Sequence, residues 1–221
     1  MKIQLALFIL IFLSTTLNSM GQTAEEKEGM LIVEAENYTM NESKGYPRLW
    51  VLTSMKDSVW AGFSDPDANH AKDSGGHSYL EALPDTRVTR DDRIENGESF
   101  YPIPGEGPTL SYQIKINHPG KYYVWCRAFS TGHEDNGLHV GIDGEWPESG
   151  ARIQWCAGIN QWTWSSAQRV PENHCGYPNS IYLDIQKKGL HTITFSMRED
   201  GMEFDQWMMT LDESYTPEKE R

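Results

Sequence analysis

Short β-strand patterns, repeated along most of the chain, constrain the fold of this protein more than any other feature of its sequence. Each is rich in β-branched and aromatic residues, and glycine, proline and asparagine punctuate the connections. No long amphipathic helix pattern interrupts the series. This arrangement predicts an all-β fold, either an antiparallel sandwich or a barrel. The predicted strands cover residues 31–38, 110–117, 122–128, 138–142, 181–185, 191–197 and 204–211.

The N-terminal residues have the layout of a secretion signal. Lys2 gives a short positive region, residues 5–13 are apolar and uncharged, and small or polar residues precede Gln22. The apolar run is too short to form a bilayer-spanning helix. We therefore predict a secreted or periplasmic protein whose signal peptide covers residues 1–21.

The rest of the chain is long enough for one β-rich domain with a substantial core. We expect that domain over residues 31–213, after a flexible linker at residues 22–30 and before a disordered tail at residues 214–221. The net charge of -13 argues against nucleic acid and anionic membrane surfaces as partners. It also disfavours a polyanionic sugar unless a cation or a local basic patch intervenes. No second hydrophobic stretch is long enough to span a membrane.

The chain has three cysteines, Cys126, Cys156 and Cys175. Export implies an oxidising compartment, so we expect one disulfide and one remaining thiol. Cys126 lies in an apolar strand pattern, whereas the other two bracket a loop-rich segment, and we predict that those two pair. The alternative is three buried free thiols. None of the spacings is typical of a zinc site.

Two acids stand close together near the start of the predicted domain. Glu34 and Glu36 are two residues apart in the first predicted strand, so the period of a strand would place both carboxylates on one face. Their mutual repulsion would be relieved by a cation between them. The alternative is an exposed edge strand with ordinary solvated acids.

Four motifs follow one another along the chain: VEAE at 33–36, PGKYYVWCR at 119–127, GLHTITF at 189–195 and EFDQW at 203–207. Together they resemble the β-sandwich carbohydrate-binding modules of families 6 and 35, over roughly residues 31–212. The resemblance implies a β jelly roll. It also implies a structural calcium ion held by Glu34, Glu36 and Asp205, with backbone carbonyls completing the shell.

The resemblance further implies a sugar site on the loops at one end of the sandwich, where exposed aromatic rings stack on pyranose faces. Trp60 lies in the first long loop. Trp162 and Trp164 alternate in sequence, which predicts that both indoles share one face. That pair is either a stacking platform or a core-facing pair under the loops.

Two polar loops are further candidates for the sugar site. The first contains His133, Glu134, Asp135 and Asn136, which either hydrogen-bond a sugar or form a polar hairpin turn. The second contains Arg198 and Glu199. An arginine facing the cleft could pair with a uronic acid carboxylate or a sulfate, because guanidinium matches oxyanions geometrically; otherwise it pairs internally with an acid.

The chain departs from the family pattern at two places. The charged loop at residues 84–108 is longer than usual, and the segment between the cysteines at residues 156–175 resembles an insertion. Either would reshape or block the usual cleft.

The sequence contains no recognisable nucleophile, zinc-protease or phosphate-loop motif. We therefore predict a non-catalytic protein that stands alone, binds a polysaccharide or oligosaccharide and works beside separately encoded carbohydrate-active enzymes. A small jelly-roll polysaccharide lyase or glycoside hydrolase is one alternative, since paired carboxylates support such chemistry. A protein-interaction or adhesion module is another.

Overall fold

The computed structural model describes residues 16–17, 21–56 and 63–218. Within them the chain forms short 3₁₀ helices at Ala35–Asn37, Ala71–Asp73, Gly75–His77 and Glu148–Gly150. The strands are β1 (Thr16–Leu17), β2 (Ala24–Glu25), β3 (Met30–Glu34), β4 (Met40–Glu42), β5 (Leu49–Ser54), β6 (Ser78–Leu83), β7 (Thr109–Ile116), β8 (Gly120–Phe129), β9 (Gly137–Ile142), β10 (Ile153–Gln154), β11 (Thr163–Ser165), β12 (Tyr182–Ile185), β13 (Gly189–Met197) and β14 (Glu203–Thr210).

The strands form two sheets. The first has the order β1-β4-β7-β13-β9-β10, with β2 beside β7. The second has the order β11-β8-β14-β6-β5, with β12 beside β8 and β3 beside β14. From β6 onward the strands of four or more residues alternate between the sheets. All strand pairs are antiparallel except the short β2–β7 pair. The predicted all-β fold, an antiparallel β-sandwich of the jelly-roll type, is confirmed.

The core lies between the sheets because alternate residues of the central strands point inward. Val124 and Cys126 of β8 are fully buried, as is Tyr112 of β7. Tyr112 packs edge-on against Trp207 of β14, with ring centroids 5.1 Å apart. Its hydroxyl donates a hydrogen bond of 2.7 Å to the carbonyl of Ala35, so the buried phenol is satisfied.

The strand that was expected over residues 31–38 ends early, at Glu34. Strand β3 pairs with β14 only from Gln206 to Thr210, and a bulge between Phe204 and Gln206 interrupts the register of β14. Beyond the bulge, β6 takes the place of β3 beside β14. The chain after Glu34 therefore turns away as a 3₁₀ helix, and Asp205 lies at the bulge.

The segment at residues 22–30, predicted to be a flexible linker, is part of the sandwich instead. Strand β2 pairs with β7, and the side chain of Glu26 is fully buried. The Glu26 carboxylate accepts hydrogen bonds of 2.9 Å from the backbone N–H groups of Asn117 and His118. These bonds compensate the burial of its charge and fix the segment against the turn after β7.

The described residues cover the predicted boundaries at the two ends of the chain only in part. Most of the predicted signal peptide lies outside the described residues. At the other end, Ser214 donates a backbone hydrogen bond of 2.9 Å to the side chain of Asp212, so part of the predicted tail forms a defined turn. No helix in the described ranges is long and apolar enough to cross a membrane.

The long segment between β9 and β12 is closed by a disulfide. Cys156 and Cys175 are joined, with their Cα atoms 5.5 Å apart. Cys126 is a free, buried thiol in the core face of β8. The disulfide fixes a loop-rich excursion of the chain on one end of the sandwich.

Candidate functional site

Three acids meet where β3, the bulge of β14 and the Gly75–His77 turn come together: Glu34, Glu36 and Asp205. We call them the β3 carboxylate cluster. The backbone N–H of Gly75 donates a hydrogen bond of 2.8 Å to Asp205. Ser78 donates its hydroxyl proton to Glu36 at 2.6 Å. These donors stabilise the charged form of the two acids, as backbone and hydroxyl groups do around buried carboxylates.

Glu34 and Glu36 are close for a different reason from the one the sequence suggested. The alternation of a strand does not relate them, because Glu36 lies in the 3₁₀ helix after β3. That turn folds Glu36 back toward Glu34, and Ser78 and Gln206 hold the two carboxylates from opposite sides. Gln206 donates to Glu34 with an N–O distance of 2.8 Å.

Arg127 of β8 supplies a positive charge to this cluster, a role that sequence reasoning missed. Its guanidinium forms an ion pair with Asp205, and both side chains are buried. It also donates to the carbonyl of Asp73 at 3.3 Å and lies over the ring of Trp162, 5.5 Å from the centroid. Arg127 reaches Asp205 because β8 pairs with β14 in a register that no local sequence motif encodes.

Burial raises the pKa of Glu34, Glu36 and Asp205 above their ordinary values. Repulsion among the three carboxylates raises the pKa of Glu34 and Glu36 further, while the Arg127 guanidinium and the Gly75 N–H lower that of Asp205. The cluster is thus short of positive charge on the side of Glu34 and Glu36.

The donor atoms of this cluster fit the calcium ion implied by the family resemblance. One carboxylate oxygen each of Glu34 and Glu36 is buried without a hydrogen-bond partner in the described structure. A Cβ at Gly75 would lie 2.7 Å from a carboxylate oxygen of Glu34, so glycine lets the turn approach without displacing that carboxylate. The set is all oxygen, which suits a hard cation.

The side chains as they stand do not converge on a common point. Across residues 21–56 and 63–218, no group of three or more His, Cys, Asp or Glu side chains has the spacing to hold a metal ion directly. Arg127 instead carries the charge opposite Asp205. Glu34 and Glu36 are the residues that would hold a calcium ion, whereas Asp205 is already paired with Arg127.

A second group of buried acids lies beside the first, on the other side of the β14 bulge. We call Glu81, Asp85 and Glu203 the Glu81 cluster. Burial, reinforced by repulsion from neighbouring acids, raises the pKa of Glu81 to about 10 and that of Asp85 to about 8. Burial likewise raises the pKa of Glu203 well above its ordinary value. Each of the three has one buried oxygen without a partner in the described residues.

His70 is the nitrogen group that reaches the Glu81 cluster. Its Nδ1 lies 2.6 Å from a carboxylate oxygen of Glu203, and its ring stacks on Phe129 with centroids 3.7 Å apart. Burial lowers the pKa of His70, which opposes a charge on the imidazole. Sequence reasoning missed this cluster because its members come from β6, β14 and separate loops.

The polar loop at residues 130–136 uses its side chains internally. Asp135 accepts hydrogen bonds from the backbone N–H of Thr131 at 2.7 Å and from the Ser130 hydroxyl at 2.9 Å. Asn136 donates to the carbonyl of Trp155 at 2.8 Å. Glu134 is buried as well and caps the N–H of His133 at 2.8 Å. Of the four candidates in this loop, only His133 is exposed.

The two tryptophans of the 161–164 segment have different surroundings. Trp162 is buried against Tyr79 and Phe129, and its indole N–H donates to the carbonyl of His70 at 3.1 Å. Trp164 in β11 is half-buried and lines the surface. The core interpretation therefore describes Trp162, and Trp164 is left as an accessible ring. Trp60 lies outside the described residues.

A groove of about 380 Å³ crosses the outer face of the second sheet. We call it the sheet groove. Trp164 and Tyr215 contribute aromatic rings, Ile32 and Met208 contribute aliphatic surface, and Gln206 contributes an amide. Ile32 also borders a neighbouring hollow of about 280 Å³ that includes Glu34. The sheet groove thus continues past Ile32 toward the β3 carboxylate cluster.

Arg198 and Glu199 lie at the loop end of β13 and pair with each other. Both side chains are buried, and the Arg198 guanidinium also lies 4.8 Å from the centroid of the Phe100 ring. Arg198 still lines a hollow of about 320 Å³ together with Arg152 and Arg169. The sequence left two alternatives for Arg198, an internal ion pair or access to a cleft. In the structure Arg198 has both.

Comparison with models of known protein families gives no match for this chain. Uncharacterized protein P23 of Formosa agariphila is 51% identical over 193 residues, which are 87% of this chain and 46% of that protein. The chain therefore spans about half the length of that relative.

Solved structures with a similar outline include carbohydrate-binding modules. A family 35 module from Clostridium thermocellum is 10% identical, with a TM-score of 0.42 over 81% of this chain and 96% of that one. A GH26-CBM35 β-(1,4)-mannanase from Podospora anserina is 13% identical, with a TM-score of 0.41 over 86% of this chain and 29% of that one. Both TM-scores are below 0.5, so neither structure assigns a ligand or an activity to this chain.

Proposed function

We propose that this chain is a secreted, non-catalytic carbohydrate-binding β-sandwich that takes a polysaccharide or oligosaccharide in the sheet groove. One observation carries the proposal: the half-buried indole of Trp164 lines an open groove with Tyr215 and the exposed aliphatic side chain of Ile32. Aromatic planes stack on the C–H faces of sugar rings, and nearby amides bond their hydroxyls.

The shape of the groove favours a chain of sugars over a single residue. Ile32 separates the sheet groove from the second hollow, which is lined in part by Gln22, Thr23 and Asn37. Both hollows are open to solvent and share Ile32 in their walls. A glycan crossing Ile32 would meet aromatic rings on one side and polar side chains on the other.

Calcium is part of this proposal, as a structural ion at the β3 carboxylate cluster. The unpartnered oxygens of Glu34 and Glu36 support it, because a buried carboxylate without donors is costly unless a cation balances it. Glu34 borders the second hollow and Gln206 borders the sheet groove. An ion at this cluster would therefore stiffen the floor of the glycan site.

Export and partners complete the proposal. The signal-like pattern at residues 1–21 and the Cys156–Cys175 disulfide both suit an oxidising compartment outside the cytoplasm. The glycan would be presented to separately encoded carbohydrate-active enzymes. Those partners, like the activity of any longer protein of which the chain is a part, belong to the proposal.

A lyase or glycoside hydrolase is the second candidate, and the Glu81 cluster is the observation in its favour. Carboxyl groups with raised pKa values beside a histidine are typical of acid–base catalysis. Glu81 and Glu203 are each only 1% exposed, however, so a sugar could not reach them without movement of the surrounding loops. Binding without catalysis is therefore the better-supported function.

The test is glycan binding measured by calorimetry across a panel of plant and algal polysaccharides, with Trp164→Ala beside the native protein. We expect binding of at least one glycan and at least a tenfold loss in the variant, with no new reducing ends or unsaturated products. Leu190→Ala is the control, since Leu190 is 67% exposed and lies in β13 of the first sheet, outside the sheet groove. Binding that is unchanged in Trp164→Ala would remove the proposed site, and product formation would favour the enzyme.

A further inference from the structure

Four basic side chains surround one hollow at the loop end of the sandwich: Arg152, Arg169, His174 and Arg198. We call it the arginine pocket. Its volume is about 320 Å³, and Pro102, Val170 and Pro171 complete the wall. The chain as a whole carries a net charge of -13. In so acidic a protein, three guanidinium groups around one hollow would not be expected by chance.

The pocket is built on a fixed backbone. Arg198 follows β13 directly, and Arg152 immediately precedes β10. Arg169 is tied to Arg152 by a backbone hydrogen bond of 2.9 Å, and His174 lies next to the disulfide at Cys175. The basic groups thus come from three parts of the chain that pairing and cross-linking hold in register, which reduces the entropy lost on binding.

Part of the hydrogen-bonding capacity of these arginines is unused. Arg198 is 4% exposed, and its Nε has no partner in the described structure; the same holds for Nε of Arg152. Glu199 balances Arg198, and the exposed Glu148 balances Arg152. Among the described residues, the Arg169 guanidinium has no hydrogen bond or ion pair.

The electrostatics of the pocket favour a bound anion. Burial, together with repulsion from Arg198 and Arg152, lowers the pKa of Arg169, although the nearby Glu199 carboxylate opposes this shift. Burial and repulsion from Arg169, Arg198 and His133 lower the pKa of His174. The cost of holding these charges together falls when a negative charge enters, because each repulsive pair gains an attractive contact.

We propose that the arginine pocket binds an oxyanion substituent of the glycan, a sulfate ester or a uronic acid carboxylate. This inference rests on the proposed function, since it names the class of sugar that the carbohydrate-binding site selects. Guanidinium groups donate pairs of parallel hydrogen bonds to such oxygens, and they are less strongly hydrated than ammonium groups. The ligand is thus a charged polysaccharide, although the protein itself is acidic.

The arginine pocket and the sheet groove adjoin the same intervening surface. A third hollow of about 230 Å³ is lined by Trp164, which also borders the sheet groove, and by Cys175, the neighbour of His174. Trp164 and the disulfide therefore line one hollow, and the residue after His174 belongs to it. The pocket supplies selectivity for charge, whereas the groove supplies contacts common to most sugars.

The test compares Arg169→Gln with the native protein, in calorimetric titrations with three sets of oligosaccharides: sulfated, uronate-containing and neutral. Arg169 is chosen because its guanidinium supports no other side chain, so the variant should keep the native melting temperature. Lys188→Gln is the matched control, since Lys188 is exposed at the far end of β13 and its loss changes the net charge equally.

We expect at least a tenfold loss of affinity for one charged set in Arg169→Gln, none in Lys188→Gln, and weaker binding of that set at high salt. Whether the sulfated or the uronate set responds identifies the oxyanion. Neutral sugars bound as tightly as charged ones, or an unaffected Arg169→Gln, would overturn the inference and leave the proposed function standing. If the native protein binds none of the three sets, both fail.

Discussion

The two groups of buried acids on either side of the β14 bulge differ in what surrounds them. The β3 carboxylate cluster receives an ion pair from Arg127, a backbone N–H from Gly75 and short side-chain hydrogen bonds. The Glu81 cluster has the His70 ring and a Tyr79 hydrogen bond at Glu203, and one long contact of 3.5 Å from Thr53 to Glu81. Both contain carboxylate oxygens that are buried without a partner in the described part of the chain.

The difference shows two ways in which a sandwich can bury acids. Donors and a positive charge allow a carboxylate to stay ionised, whereas an apolar site without them holds it in the protonated form. Asp205 is of the ionised kind, because it has donors and the charge of Arg127. Glu81 is of the protonated kind: its pKa is raised to about 10, so it is uncharged at neutral pH. Closeness of acids in space therefore does not by itself identify a cation site.

Removal of Arg127 should have the largest effect on stability. Arg127→Met leaves Asp205 buried without its counter-charge, and breaking a buried ion pair on one side costs about 3–5 kcal/mol. We expect that loss in the free energy of unfolding, measured with urea. Lys115→Met, which breaks the exposed pair with Glu25, should cost far less, because solvent screens exposed ion pairs. Equal losses in the two variants would show that Arg127 does not sustain the β3 carboxylate cluster.

Calcium should distinguish the two clusters next. If the ion binds at Glu34 and Glu36, a concentration one hundred times the dissociation constant adds about 2.7 kcal/mol to the stability, and a chelator removes it. Thermal unfolding with and without chelator measures this change. We expect Glu36→Gln to abolish the response and Glu81→Gln to retain it. The reverse pattern would place the ion in the Glu81 cluster.

The pH dependence of stability should come mainly from the Glu81 cluster. At pH values between the ordinary pKa of 4.5 and the folded-state pKa of about 10, Glu81 keeps its proton in the folded chain and loses it on unfolding. Stability therefore falls as the pH rises through this window, by up to about 1.4 kcal/mol per pH unit for one proton.

Urea unfolding at several pH values tests this dependence. Glu81→Gln should be more stable than the native protein above neutral pH and should show a shallower slope. Glu172→Gln, at an exposed position, should follow the native curve. A native protein whose stability is flat from neutral to alkaline pH would mean that Glu81 is ionised and balanced by a bound cation.

The sequence was sufficient for the central strands but not for the edges of the second sheet. Strands β7, β8 and β13 could be predicted because they are rich in β-branched and aromatic residues, many of which are buried. Strands β5 and β6 were not predicted, since their pairing partners are set by the bulge in β14. A glutamate inside β6 also resembles an exposed position when read locally.

The candidate sites show the same division. Glu34, Glu36 and Asp205 could be named because short motifs carry them, although the 3₁₀ helix, not strand alternation, brings Glu36 to Glu34. The arginine pocket could be named only through Arg198. Arg152 and Arg169 reach it because the disulfide segment folds back along β10, and no spacing in the sequence encodes that contact.

The smallest predicted effect concerns the hydroxyl groups that serve each cluster. Ser78→Ala removes a hydrogen bond of 2.6 Å to Glu36, and Thr53→Val removes the 3.5 Å contact to Glu81. A bond to an ionised acid contributes about 1.5 kcal/mol, whereas a long contact to a protonated one contributes little. We expect urea unfolding at neutral pH to show a loss of about that size in the free energy of unfolding for Ser78→Ala. Thr53→Val should change it very little. A larger loss in Thr53→Val would mean that Glu81 is charged, and the contrast between the two clusters would then be wrong.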